Sequence, residues 1–176
     1  MHEWVVAGAV IEGPAGLLLV ANRRRNGSID WSTPGGVVDP GEAVLEGLTR
    51  EVDEETGLTV TSWEGPLYDI EVVAAGLGWH LRVEVYRAVA YSGEVVVDDP
   101  DGIVVDARWF DPVACADQLA ASHHWVREPL GAWVGERWVD RRAFRYRAHG
   151  RDLLSLQIER LDLDGADGDG AGPVVS

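Results

Sequence analysis

Between Gly36 and Leu58 the chain reads GVVDPGEAVLEGLTREVDEETGL, and no other stretch limits its fold and chemistry as strongly. Leu45, Leu48 and Val52 recur at helical spacing between Glu42 and about Thr56, and Gly57 stands where a helix commonly ends in a left-handed cap, so the spacing predicts a helix with one buried face. Its last turn holds Glu51, Asp53, Glu54 and Glu55. Anions at a helix C-terminus are disfavoured by about 0.3–1 kcal/mol each, and like charges one turn apart repel further. An ordinary charged surface helix, with Arg50 balancing one acid, is the plainer reading. The four acids are better accounted for if Glu51 and Glu55, one turn apart on one face with Glu54 beside them, hold a hard cation through carboxylate oxygens while Arg50 orients them.

With U for an aliphatic residue, the stretch fits Gly-x5-Glu-x7-Arg-Glu-U-x-Glu-Glu-x-Gly-U, filled by Gly36, Glu42, Arg50, Glu51, Val52, Glu54, Glu55, Gly57 and Leu58. This pattern resembles the Nudix box. The resemblance implies an α/β (α+β) fold, the Nudix-type α/β/α sandwich with a mixed central sheet, here followed by a C-terminal helical segment and a β-hairpin extension. It also implies cleavage of the diphosphate linkage of a nucleoside diphosphate joined to a further group, with Mg2+ as cofactor and Mn2+ as a substitute. By the same resemblance Glu51, Glu54 and Glu55 are metal ligands, the Gly35 carbonyl joins them, and Glu51 or one more acid takes a proton from water. The family often supplies that acid from a later loop. Ile103 falls where a glutamate would often stand, so the candidate is Asp101, with Asp99 second.

The 176 residues suit one domain, taken as 1–161, and 46% hydrophobic residues are enough for a substantial core. A net charge of −15, from 30 acids against 15 arginines, argues against nucleic-acid or anionic-membrane partners and leaves a small-molecule nucleotide as the expected partner. Cys115 is the single cysteine, so neither a disulfide framework nor a cysteine zinc site is expected. MHEWVVAGAV has neither a basic leader nor a long apolar run, and no stretch approaches the ~18 apolar residues of a membrane span, so a cytoplasmic protein is expected.

Along the chain, Trp4–Ile11 and Leu17–Ala21 are predicted strands of a hairpin that starts the central sheet. Arg23, Arg24 and Arg25 follow, a clamp for a substrate phosphate or else a solvated hairpin tip. Leu58–Ser62, Pro66–Val73 and Trp79–Tyr91 read as three further strands, and Ala88–Val97 as a hairpin turning at Ser92-Gly93. Asp106–Phe110 leads as a strand into a helical stretch from Pro112 to about Arg137, capped by Asp111 and divided in two at Pro129. His123 and His124, being adjacent, do not share a helix face as metal ligands would.

Ala143–His149 and Asp152–Arg160 are predicted strands. Residues 137–160 carry seven arginines against Asp140, Asp152 and Glu159, so this extension could cover a sheet edge, approach the substrate, or meet the acidic surface of a second copy in a homodimer. The segment 162–176, rich in Gly and Asp, is expected to be a disordered tail.

The substrate expected is a (d)NTP, an oxidised guanine nucleotide among them, cleaved to a nucleoside monophosphate. ADP-ribose or a nucleotide sugar is the near alternative, and a non-catalytic nucleotide-binding regulator is the alternative of another class. Trp31, Trp79 and Tyr68 are candidate rings for stacking a base, although core packing is the commoner role at such positions.

Overall fold

The computed structural model describes residues 1–152 and 155–161. Along these the chain forms β1 (His2–Val10), β2 (Glu12–Gly13), β3 (Gly16–Arg23), β4 (Ile29–Ser32), β5 (Gly35–Val37) and α1 (Val44–Thr56). The long strands β6 (Thr59–Ala74) and β7 (Trp79–Ser92) come next, followed by β8 (Val104–Phe110), α2 (Pro112–Leu119), α3 (His124–Glu136), β9 (Arg142–His149) and β10 (Gln157–Leu161). Six strands make a mixed sheet in the order β10-β9-β6-β7-β1-β5, in which β1 runs parallel to β7 and β6 parallel to β9. A smaller antiparallel sheet is built on β3, which pairs with β8 and, in succession, with β2 and β4.

The apolar run of β3 has its explanation in this arrangement. Leu18 packs with Leu48 and Val52 of α1, while Leu17 and Leu19 pack with Cys115, Leu119 and Leu130 on the side of α2 and α3. A strand buried on both faces needs no polar alternation. In β9 the alternation is regular: Phe144, Tyr146 and Ala148 enter the core beneath α3, and Ala143, Arg145 and Arg147 point the other way.

Several expected boundaries shift. The first hairpin forms, but β1 joins the large sheet and β3 the small one, so they do not start a single central sheet. Leu58–Ser62 and Pro66–Val73 are not separate strands: β6 is continuous across Gly65-Pro66, and register shifts between Glu64 and Tyr68 absorb the irregular residues. The turn at Ser92-Gly93 does not lead into a strand, because the Val96 N–H bonds to the Thr56 carbonyl at 2.9 Å and ties this segment to the end of α1. The helical stretch breaks at residues 120–123, and Pro129 lies inside α3, where the buried face of Trp125, Leu130 and Trp133 outweighs the lost hydrogen bond. The last strand begins at Gln157, and the expected tail at 162–176 falls outside the described residues.

Candidate active site

Helix α1 begins at Ala43, where the Glu46 carboxylate reaches back to the backbone N–H at 3.4 Å, and it ends at Gly57 with φ 72°. Leu48, Val52, Glu55 and Thr56 form the buried face, whereas Leu45, expected there, is 38% exposed and Val44 takes the inward place. The fully buried Thr56 hydroxyl donates to the Val52 carbonyl at 2.6 Å and accepts from Leu58 N–H at 3.2 Å, which closes the helix end without a cation.

Glu51 and Glu54 gather on Arg50, and Glu55, on the same helix face, turns instead onto Gly35. The guanidinium donates to Glu51 at 2.7 Å, to Glu54 at 3.4 Å, and to both oxygens of Glu42 at 3.0 and 3.1 Å. Glu55, only 7% exposed, accepts from the Gly35 N–H at 2.8 Å. Gly35, with φ 141°, pairs with Gly8 of β1 so closely that a Cβ would stand 2.1 Å from the Ala7 carbonyl oxygen. At Gly36 a Cβ would stand 2.4 Å from the Glu51 carboxyl, so the first glycine of the motif is the space that the glutamate occupies.

Burial pushes the Glu55 carboxyl up to about 8, against the pull of the Gly35 N–H, and the charges of Glu51, Asp99 and Glu54 add to the rise. Burial also raises Glu51, opposed by Arg50 and assisted by Glu54 and Asp101. Among the described residues no three acidic, histidine or cysteine side chains converge as a ligand set, since Glu51 and Glu54 turn onto Arg50 and Glu55 onto Gly35. The donors nonetheless fit a hard divalent cation: carboxylate oxygens on one helix face, one of them buried, with glycine backbone alongside.

The loop after β7 supplies two more acids. Asp99 accepts from the Asp101 N–H at 3.0 Å and from Ile103 and Val104 N–H at 2.8 Å each, so both its oxygens hold the loop's own backbone. Sequence reasoning ranked Asp99 only as a second catalytic acid; Asp-Pro-Asp-Gly at 99–102 is a turn signature that points to this loop-holding role, and Gly102 N–H bonds to the Asp99 carbonyl at 3.0 Å. Asp101 is exposed and its charge is felt at Glu51.

The three arginines divide. Arg24 is held by Asp30 through two bonds of 2.6 and 2.8 Å. Arg23 closes β3 with its N–H on the Ile103 carbonyl at 2.8 Å, beside the acidic loop, and Arg25 lies exposed in the turn. Of the aromatic candidates, Trp31 is half-buried and edge-on to Phe110 at 5.2 Å, Trp79 packs on Trp125 at 6.5 Å, and Tyr68 is 2% exposed. His123 stacks on Trp125 at 4.3 Å and His124 lies 3.5 Å from Glu128, so neither faces the acidic helix.

A family model described as NUDIX domain matches residues 2–134. The chain is 30% identical to the "Oxidized purine nucleoside triphosphate hydrolase" of Danio rerio over 117 residues, 66% of this chain and 69% of that protein. It is 33% identical to the "NAD-capped RNA hydrolase NudC" of Stutzerimonas stutzeri over 73% of this chain and 42% of that protein. Its structure matches that of a MutT NUDIX hydrolase from Burkholderia pseudomallei with a TM-score of 0.61 and 32% identity, over 74% of this chain and 97% of the other. Among the described residues no helix is long and apolar enough to cross a membrane.

Proposed function

This chain belongs to the Nudix family, as a hydrolase of nucleoside diphosphate-linked compounds that uses a divalent cation, and from that premise we propose that its substrate is a purine nucleoside triphosphate, oxidised guanine nucleotides foremost, with Mg2+ as the cation. The observation that carries this reading is the acidic face of α1, where Glu51, Glu54 and Glu55 stand in one turn beside a single arginine, with Glu55 on Gly35 and Glu51 against Gly36. The choice of substrate leans on the name of the Danio rerio relative and on Trp31, a half-buried ring four residues before Gly35.

Glu51, Glu54, Glu55 and the Gly35 carbonyl would hold the cation, which when bound would supply charge neutralisation for the phosphates and lower the pKa of a water. Glu51, whose proton affinity burial has raised, takes the proton of that water as its oxygen attacks phosphorus; Asp101 at the loop rim is the other acceptor. The bond to the bridging oxygen breaks, and a nucleoside monophosphate and pyrophosphate leave. Arg50, bonded at once to Glu42, Glu51 and Glu54, keeps the carboxylates oriented. Arg23 and Arg25 meet substrate phosphate oxygens.

One panel assay tests this: triphosphates including oxidised guanine forms, ADP-ribose, dinucleotide coenzymes, diadenosine polyphosphates and nucleotide sugars, each with Mg2+ and with Mn2+. Preferred release of pyrophosphate from an oxidised guanine triphosphate is expected. Turnover of ADP-ribose alone would replace the substrate, and micromolar binding without turnover of any member would replace the enzyme by a nucleotide-binding regulator.

A further inference from the structure

Helix α1 covers only part of its side of the large sheet. Ala7, Ala9 and Tyr86 lie under it, but the same side of β9, of the second half of β6, and of the first halves of β7 and β1 has no helix over it. Strand β9, which lies beyond the residues that the family model matches, widens this open face. Two in-register rows cross it: Arg145, Glu71, Arg82 and Val5, then Arg147, Val73, His80 and Glu3.

One oxygen of Glu71 is hydrogen-bonded with His80 at 2.8 Å, but the other charges on these rows are only loosely satisfied within the chain. Arg145 stands 3.5 Å from Glu71 and Arg147 3.8 Å from Glu159, too far for hydrogen bonds, and among the described residues Arg82 has no ion pair. Among the described residues Glu3, with a 70% exposed side chain, has a single ion pair, with His80 at 3.5 Å. Glu71 and Arg82 fall on opposite sides of a line between β6 and β7, and so do Arg147 and Glu3.

We propose that this face is the interface of a homodimer, built on a two-fold axis that runs along the strands between β6 and β7. Such an axis exchanges β6 with β7 and β9 with β1. Glu71 then faces Arg82 of the second copy, Arg147 faces its Glu3, and symmetry forms each pair twice. A third row, Asp69 and Glu84, would bring like charges together, but Arg141 bonds Asp69 and lies 3.7 Å from Glu84, neutralising both from within each copy. The hollow over the face, about 480 Å³, receives the long side chains of the other copy. A second copy is the fitting occupant because a chain of net charge −15 repels itself wherever acids dominate, and here the signs alternate.

Four strands ~4.8 Å apart and three rows give a patch roughly 20 Å on a side, about 400 Å² per copy. Standard interfaces take about 800 Å² per partner, so association is reversible, with a dissociation constant on the order of 100 µM. Sedimentation equilibrium from roughly 10 to 500 µM protein tests it. The wild-type chain should pass from 19.1 kDa to twice that mass. Arg82→Glu and Glu71→Arg should each weaken dimerisation about tenfold, because each alters two contacts. The double reversal should restore it to within about threefold, since the pair is rebuilt with its signs exchanged both between copies and between neighbouring strands. Arg108→Glu, on β8, should leave it unchanged, and thermal melts confirm that each variant is folded. A monomer at every concentration, a dimer indifferent to the single reversals, or a double variant that stays monomeric overturns the proposal.

Discussion

The last turn of α1 and the strand β9 are both dense in charge, and the protein treats them in opposite ways. On α1 Glu51 and Glu54 share one arginine with Glu42, and burial, with the uncompensated charge of the neighbouring acids adding to it, holds Glu55 near 8. Around β9 four cations each find an acid, Arg141 on Asp69, Arg142 on Glu136 at 2.6 Å, Arg137 on Glu12 at 2.6 Å, and Arg160 on Glu128 beside the Tyr146 hydroxyl, while Arg145 and Arg147 on the open face stay looser. Those acids come from β6, α3 and β2, so the reversed sign of the extension is the means by which it docks on an acidic domain. Charge density marks neither region as functional. What separates them is whether the chain supplies the counter-charge itself.

The sharpest attack on this contrast is Glu55→Gln, or Glu54→Gln. Hydrolysis should fall by ~10²–10³-fold or more, as expected when a group that stabilises the transition state is lost. In cation-free buffer the melting temperature should hold or rise, because repulsion along the helix is relieved. Added Mg2+ should raise the melting temperature of the wild type and not of the variant. Turnover within about twofold of wild type would show that the α1 surplus has no catalytic use.

Next in size is the loop. Asp101→Asn should lower kcat about 10–100-fold. Asp99→Asn should cost less rate and more melting temperature, because one of its oxygens no longer accepts from backbone N–H groups. If both variants keep wild-type rates, the extra acid lies elsewhere.

In the compensated region the pattern inverts. Glu128→Gln leaves Arg160 and Tyr146 without a charged acceptor, which costs about 1–3 kcal/mol and no activity. Burial pushes the Glu128 carboxyl up, but the Tyr146 hydroxyl and Arg160 outweigh it and hold the group below the usual carboxylate range. Its stabilisation is therefore complete above that range and lost as pH falls through the lowered folded value. The melting difference between wild type and variant should accordingly shrink below about pH 4. A difference unchanged down to pH 3 would detach Glu128 from this role.

The smallest effects belong to the hairpin: Arg23→Ala and Arg25→Ala should raise KM about three- to fivefold with kcat intact. Arg24→Ala should instead lower the melting temperature slightly, since its fork is already held by Asp30.

Much of the proposed catalytic face was legible because its signals are local. Helical spacing, Gly57 and the run of acids lie within two turns of one another, and even the demand for Gly36 was present in the motif, although its cause, the Glu51 carboxyl against its Cα, needed coordinates. Leu45 misled because Val44 serves the same apolar period one residue earlier. Pro129 misled because propensity weighs one lost hydrogen bond and not the three large side chains that α3 buries around it. The division of β6 at Gly65-Pro66 reflects the same limit, since pairing with β7 resumes on the far side. Asp99 and Asp101 are equivalent as letters; only the three N–H groups around Asp99 assign them different work.

Strand β6 has one more consequence, for anyone who shortens this protein. Its residues Tyr68–Val73 pair with β9 over the whole register, and the stretch that resembles the wider family ends at residue 134. A chain trimmed to that shared stretch would turn an interior strand into an edge, leaving the N–H and C=O groups of alternate residues along Tyr68–Val73 unclaimed, on a border that also exposes Ile70 and Val72. Such a minimal fragment should scatter light and precipitate as strand stacks on strand, so the smallest well-behaved unit of this protein runs at least to His149.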